Sequence, residues 1–292
     1  MSTQVPELLV RLVDDAAVFP PGNAPLPVAL AAHWDHRDAW YARLVGPLVI
    51  PASMVGELTG GPPGGLAGRL ASKLVPGTGV GLIGDGGIER LPEAVRALNE
   101  HPGRVVLRQI EVAVARRGED PQPGLARLAE LSAGWPGVAG YAEIPLSWGL
   151  MAALDTVAAV RAGGVDISPK FRTGGLVAEL FPTAAELAAV ICACRDRGLR
   201  FKLTAGLHRA VRHTDPGTGF VHHGFLNVLV ASAVAAQGGD VGEVAAVLAG
   251  TDPAPLVDHA RRILHRERPL WTGFGSCSVP EPLADLKGFG LL

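Results

Sequence analysis

Apolar positions along this chain recur with two periods. Short runs rich in β-branched residues alternate with longer Ala/Leu/Arg stretches whose apolar residues repeat every three to four positions, the patterns of strand and helix respectively. The first pattern predicts strands at Ala16–Phe19, Leu48–Pro51, Gly79–Ile83, Val105–Val112, Gly140–Ile144, Asp166–Phe171, Arg200–Thr204 and Leu270–Phe274. The second predicts helices over Pro27–Arg37, Pro92–Asn99, Leu125–Ser132, Leu150–Ala162 and Ala184–Arg197, two of them with Pro at a plausible first position. Strands in regular alternation with helices imply a parallel sheet with crossover helices.

Eight strands, a length near the ~250 residues of a typical barrel, and the absence of a dinucleotide fingerprint after the first strand favour a closed barrel over an open doubly wound sheet. The fold expected is therefore α/β, a single-domain (β/α)8 TIM barrel. The glycine cluster Gly79–Gly87 starts inside the third predicted strand, so it reads as a strand-to-helix turn rather than a nucleotide loop. Gly60–Gly65 is the nearest thing to a linker, but it falls inside a βα unit.

Composition narrows the class. Only 18% of the 292 residues are charged and 48% are hydrophobic, which excludes a disordered chain and points to a large interior. A net charge of -2 argues against a general nucleic-acid surface while leaving a small anionic or phosphorylated ligand open. Three cysteines make no disulfide framework for a chain of this size. Met1–Val10 lacks the basic and apolar regions of a signal peptide, and no segment reaches the ~20 apolar residues of a membrane span. A cytoplasmic protein without membrane or nucleic-acid partners is expected, its oligomeric state open.

In a barrel, chemistry belongs at the C-terminal ends of the strands. The chain uses 22 arginines but four lysines, Lys73, Lys170, Lys202 and Lys287, and two of the four fall in the sixth and seventh predicted strands. Arg cannot give up its proton; a desolvated Lys beside another cation can, and then attacks a carbonyl. Alternation puts Lys170 with Arg172 on one face of the sixth strand and Lys202 with Thr204 on one face of the seventh. A structural alternative is an interior ion-pair network, with Glu111 and Glu143 near the ends of the fourth and fifth strands as partners.

The segments Lys170-Phe171-Arg172-Thr173-Gly174-Gly175 and Lys202-Leu203-Thr204-Ala205-Gly206, with Thr272-Gly273-Phe274-Gly275-Ser276-Cys277-Ser278, resemble strands six to eight of class I aldolases of the deoxyribose-phosphate aldolase type. The resemblance covers 166–208 and 271–280. It implies a carbon–carbon lyase without a cofactor, with Lys170 as the Schiff-base residue, Lys202 as the cation that lowers its pKa, and the Gly275–Ser276 turn as an anion holder. The family's strand-borne Asp has no counterpart by motif, so Glu143 or Glu111 would move protons, and Arg172 stands where a small hydroxyl residue is usual. Arg172, Thr204 and His208 complete the expected binding set for an anionic carbonyl substrate. The alternatives are a metal- or acid/base-dependent lyase or isomerase, and a non-catalytic ligand- or partner-binding barrel.

Other clusters read as structural. Asp14 and Asp15 precede the first predicted strand, the wrong end of a barrel for catalysis. His208, His213, His222 and His223 gather in sixteen residues, but their spacing matches no metal site, and a polar substrate loop explains them. Cys192 and Cys194 read as core and Cys277 as a turn residue whose reactivity would require a neighbouring base or cation. His33, His36, Trp34 and Trp40 read as surface or interface residues of an early outer helix.

Overall fold

The structure is a computed structural model and describes residues 4–59, 77–100 and 105–292. Lys73 and the Gly60–Gly65 segment lie outside the described residues.

Eight strands close into a barrel: β1 (Val13–Asp15), β2 (Val45–Pro51), β3 (Thr78–Ile83), β4 (Val105–Ala113), β5 (Ala139–Glu143), β6 (Ile167–Arg172), β7 (Phe201–Thr204) and β10 (Trp271–Ser276). Their order around the ring is β1-β10-β7-β6-β5-β4-β3-β2, so the last strand sits between the first and the seventh. The pairings β2–β3, β3–β4, β4–β5, β6–β7 and β7–β10 are parallel. A two-residue antiparallel ribbon, β8 (His213–Thr214) with β9 (Val221–His222), is inserted after β7. The helices are α1 (Leu26–Asp38), α2 (Val55–Thr59), α3 (Leu91–Asn99), α4 (Gln122–Ala133), α5 (Leu150–Ala162), α6 (Ala184–Asp196), α7 (Phe225–Ala236), α8 (Val241–Ala249), α9 (Pro253–Ile263) and α10 (Pro280–Gly288). None is long and apolar enough to cross a membrane among the described residues.

The expected (β/α)8 barrel is thus the fold found. One strand moves. β1 is Val13–Asp15, not Ala16–Phe19, and the apolar run instead bends back in a turn closed by Phe19 N–H donating to the Ala16 carbonyl at 2.9 Å. A strand whose second and third residues are acids does not look apolar, which is why the pattern slid three residues downstream.

The chain partitions into two compact units. One comprises Met1–Asp14, Trp40–Gly46 and Pro169–Leu292. Its core is built on α7, in which ten of twelve residues are buried, several of them large apolar side chains worth roughly 1.5–3 kcal/mol each. Around it run Phe225, Phe274 and Trp271, stacked at 5.8 and 5.6 Å. Helices α6 and α8 each open with a capping box, Thr183–Glu186 and Asp240–Glu243, which satisfies backbone N–H groups at their first turns. The buried Arg268 guanidinium donates to the carbonyls of Leu8, Trp271 and Thr272 at 2.7–2.8 Å, binding the N-terminal segment to β10. Cys192 and Cys194 are buried in α6 as expected.

The other unit comprises Asp15–Ala39 and Pro47–Ser168. Helix α1 is held by Asp15, whose carboxylate accepts from His33 Nδ1 at 3.1 Å, both side chains 2% exposed. His33 is therefore a buried anchor and not a surface residue. Trp34 donates through its indole to Thr78 at the start of β3, at 3.2 Å.

Candidate functional site

Lys170 on β6 and Lys202 on β7 are register partners, Cα opposite Cα on adjacent parallel strands. Both are 2% exposed. Their sequence neighbours explain the orientation: Phe171, Phe201 and Leu203 are fully buried on the alternate face, so alternation sends the lysines to the opposite one. One level further toward the C-terminal ends come Arg172, exposed, then Thr204, half-buried, then Gly275 on β10, all in register.

Lys202 Nζ donates to Asp14 Oδ2 in a buried ion pair. The partner comes from β1, two strands away, because β10 lies between. At the level of Lys202 the intervening residue is Gly273. Gly273 has φ 140°, and a Cβ there would stand 2.6 Å from the Leu12 carbonyl oxygen, so no other residue fits without distortion. On the other flank of β1, a Cβ on Gly46 would overlap the Asp14 carboxylate. Gly46 thus leaves the room that the Asp14 carboxylate occupies, while Gly273 lets β10 lie close against the backbone at Leu12.

This corrects the reading of Asp14 as a residue at the wrong end. Asp14 lies within β1, paired with Lys202, while Asp15 points to the alternate face and serves α1. The signal was present in the sequence, since two consecutive acids in a strand must face opposite sides; misplacing the strand hid it. Thr173 was also passed over. Fully buried after β6, it donates through its hydroxyl to the carbonyls of Thr204 (3.2 Å) and Ala205 (2.6 Å), tying the loop after Lys170 to the loop after Lys202.

Ser276 is 3% exposed, and its hydroxyl donates to the Ser278 carbonyl at 2.8 Å, closing the turn after β10. His208, in the loop after β7, faces the Glu281 carboxylate of α10 through Nδ1 at 3.2 Å. Two residues on, the Ala210 N–H donates to Asp285 Oδ2 at 2.7 Å, so α10 fastens this loop.

In the second unit, Glu111 is 3% exposed on β4 and accepts from the Gln109 amide at 2.8 Å. Glu143 is the last residue of β5 and half-buried, level with Ala113, while Glu111 is level with Tyr141.

The histidines after β7 separate by environment. His213 and His222 stack across the ribbon at 5.3 Å, and His222 Nδ1 meets the Gly206 carbonyl at 3.2 Å. Burial pushes His222 below the ordinary histidine range. His223 is fully buried, its Nε2 donating to the Pro182 carbonyl at 2.8 Å and its Nδ1 facing the Arg212 guanidinium at 3.3 Å. Burial pushes its pKa down to about 4, so it is a neutral imidazole with the proton on Nε2. Among the described residues no group of three or more His, Cys, Asp or Glu side chains is placed to hold a metal ion. No protein-family model, no curated protein and no solved structure matches this chain.

Proposed function

We propose that the protein is a small-molecule enzyme, a carbon–carbon lyase acting on an anionic carbonyl compound through a Schiff base on Lys170. The observation that carries the reading is the register pairing of two buried lysines on adjacent strands. Two ammonium groups close together away from water disfavour each other, which makes it easier for one of them to lose its proton. In this reading Lys202, beside Asp14, is the cation, and Lys170, at the position that the aldolase resemblance gives to the Schiff-base residue, is the amine that gives its proton up. Its Nζ lone pair then adds to the substrate carbonyl carbon, and the oxygen leaves as water. The resulting iminium draws electrons from the adjacent bond, so a carbanion forms at neutral pH. Arg172, Thr204 and the Gly275–Ser276 turn, one level nearer the strand ends, supply the cation and polar groups for an anionic substituent, and His208 lies in the loop that follows.

The resemblance to class I aldolases of the deoxyribose-phosphate type points the same way, with Asp14 now available as the strand-borne acid. The Asp14–Lys202 pair by itself would equally suit a barrel held together by buried charge, and the test separates the two. Sodium borohydride with a panel of aldehydes should add a stable mass to the Lys170 peptide. Lys170→Arg should abolish both trapping and turnover while the protein folds; Lys202→Arg, which keeps a cation for Asp14, should slow turnover and leave trapping detectable. Turnover surviving in Lys170→Arg, or mass added at Lys202 instead, would overturn the assignment.

A further inference from the structure

We propose that Cys277, His208 and Glu281 form a reactive-thiol site, separate from the lysine pair, at which hydroperoxides oxidise Cys277 to a sulfenic acid. Cys277 lies in the turn between β10 and α10 and is partly exposed. Its Sγ is 3.8 Å from His208 Nδ1, and that nitrogen is 3.2 Å from Glu281 Oε2. A thiol becomes a nucleophile when a neighbouring group takes or balances its charge. Here the balancing group is the His208 imidazolium, whose Nδ1–H lies between Sγ and the Glu281 carboxylate, and the carboxylate holds that ring in place. The side chains of His208 and Glu281 are 30% and 46% exposed, so a small solute reaches the turn from solvent.

The other two cysteines give the contrast. Cys192 and Cys194 are 3% and 0% exposed, and burial pushes both thiols up, Cys194 to about 12. His222 from the ribbon also acts on His208 through its charge, and Asp285 of α10, with Arg209, fastens the same loop.

The step balances without a further reactant. The thiol proton passes to solvent, and the thiolate, its charge balanced by the His208 imidazolium, attacks one peroxide oxygen. An S–O bond forms as the O–O bond breaks, so sulfur gives up two electrons and the peroxide takes them. The departing hydroxide or alkoxide receives the imidazolium proton and leaves as water or alcohol.

The test needs no knowledge of the enzyme's substrate and is independent of the Schiff-base reading. The intact protein is treated with limiting hydrogen peroxide in the presence of dimedone, and the peptides are mapped by mass. The adduct should fall on the Cys277 peptide and spare the peptide containing Cys192 and Cys194. His208→Gln should slow labelling of Cys277 roughly tenfold or more at pH 7, and Glu281→Gln should slow it less, since the imidazolium rather than the carboxylate balances the thiolate. In the wild type, iodoacetamide capping of Cys277 should remain fast well below pH ~8.5, the ordinary thiol midpoint, and this profile carries the test even if His208→Gln fails to fold. Labelling of Cys277 no faster than a short cysteine peptide, or unchanged in folded His208→Gln, would overturn the proposal.

Discussion

Lys202 on β7 and His223, between the ribbon and α7, are both basic side chains almost wholly withdrawn from water in the same compact unit, yet they reach a tolerable state by different routes. Lys202 keeps an opposite charge beside it, with Asp14 brought across a glycine-bearing strand. His223 has no carboxylate partner in its hydrogen bonds; it meets a backbone carbonyl and a guanidinium, and it sheds its proton. A buried ion must be paired or neutralised. The two sites are the two answers. Only the first keeps a charge. The second spends its polar groups on fixing a loop, as the Arg212 N–H and the Asn227 side chain do next to it: Asn227 accepts from Arg212 N–H at 2.9 Å and donates to the Val247 and Gly250 carbonyls at 2.8 Å.

The largest effect expected from breaking this comparison is at the ion pair. Lys202→Met takes the Lys202 ammonium away from the buried Asp14 carboxylate and should cost about 3–5 kcal/mol of unfolding free energy. The double variant Asp14→Leu/Lys202→Met removes both charges and should recover most of that loss. Urea unfolding of the wild type, both single variants and the double variant closes the cycle. Additive losses would show that the two groups do not depend on each other.

Much of the architecture could be read from alternation alone, because seven of the barrel strands have apolar outer faces that mark them. The first could not. One face carries Asp14 and the other Val13 with Asp15, which is bound to His33, so a single apolar residue marks the strand and the adjacent Ala16–Phe19 run took its place. The lysine pair was legible, since rare Lys in an Arg-rich chain stood at equivalent places in consecutive strands. Its acid was not, because β1 and β7 are far apart in sequence and become next-nearest neighbours only when β10 closes the ring between them. Of the helices between the ribbon and β10, α7 is hard to read from periodicity for the opposite reason. α7 is buried on nearly every side and so shows no polar face for a periodicity to register.

His223 predicts an intermediate effect with a definite sign. Unfolded, a histidine titrates near 6.5; folded, this one does so at about 4. Between those values the unfolded chain binds the extra proton, so stability rises with pH. The contribution is fully present above about pH 6.5 and is lost as pH falls toward 4, by about 3 kcal/mol at about 1.4 kcal/mol per pH unit. Carboxylates titrate in part of the same window, so the measurable quantity is a difference. His223→Gln retains a donor for the Pro182 carbonyl but cannot be protonated, and its unfolding free energy should fall less steeply from pH 6.5 to 4.5 than that of the wild type. Parallel curves would mean that His223 stays charged when folded, and the contrast with Lys202 would disappear.

The smallest effect is the most specific to how the ion pair is housed. A methyl group at Gly46 has nowhere to go, because the Asp14 carboxylate oxygen occupies the place and its Cγ lies 3.0 Å away, while the Asp14 Cα, at 3.4 Å, is at ordinary contact distance. The clash is therefore with the side chain and not with the strand. Gly46→Ala should cost about 1–3 kcal/mol in the wild type, the usual range for an overpacked core. In the background Asp14→Ala/Lys202→Met the obstructing carboxylate is gone, and the same substitution should be close to neutral or slightly favourable, since alanine loses less backbone entropy than glycine on folding. The coupling between position 46 and position 14, at least about 1 kcal/mol by denaturant unfolding, is the quantity that decides. An equal cost in both backgrounds would place the strain in the β1–β2 backbone, and the glycine would then have been kept for the strand and not for the charge.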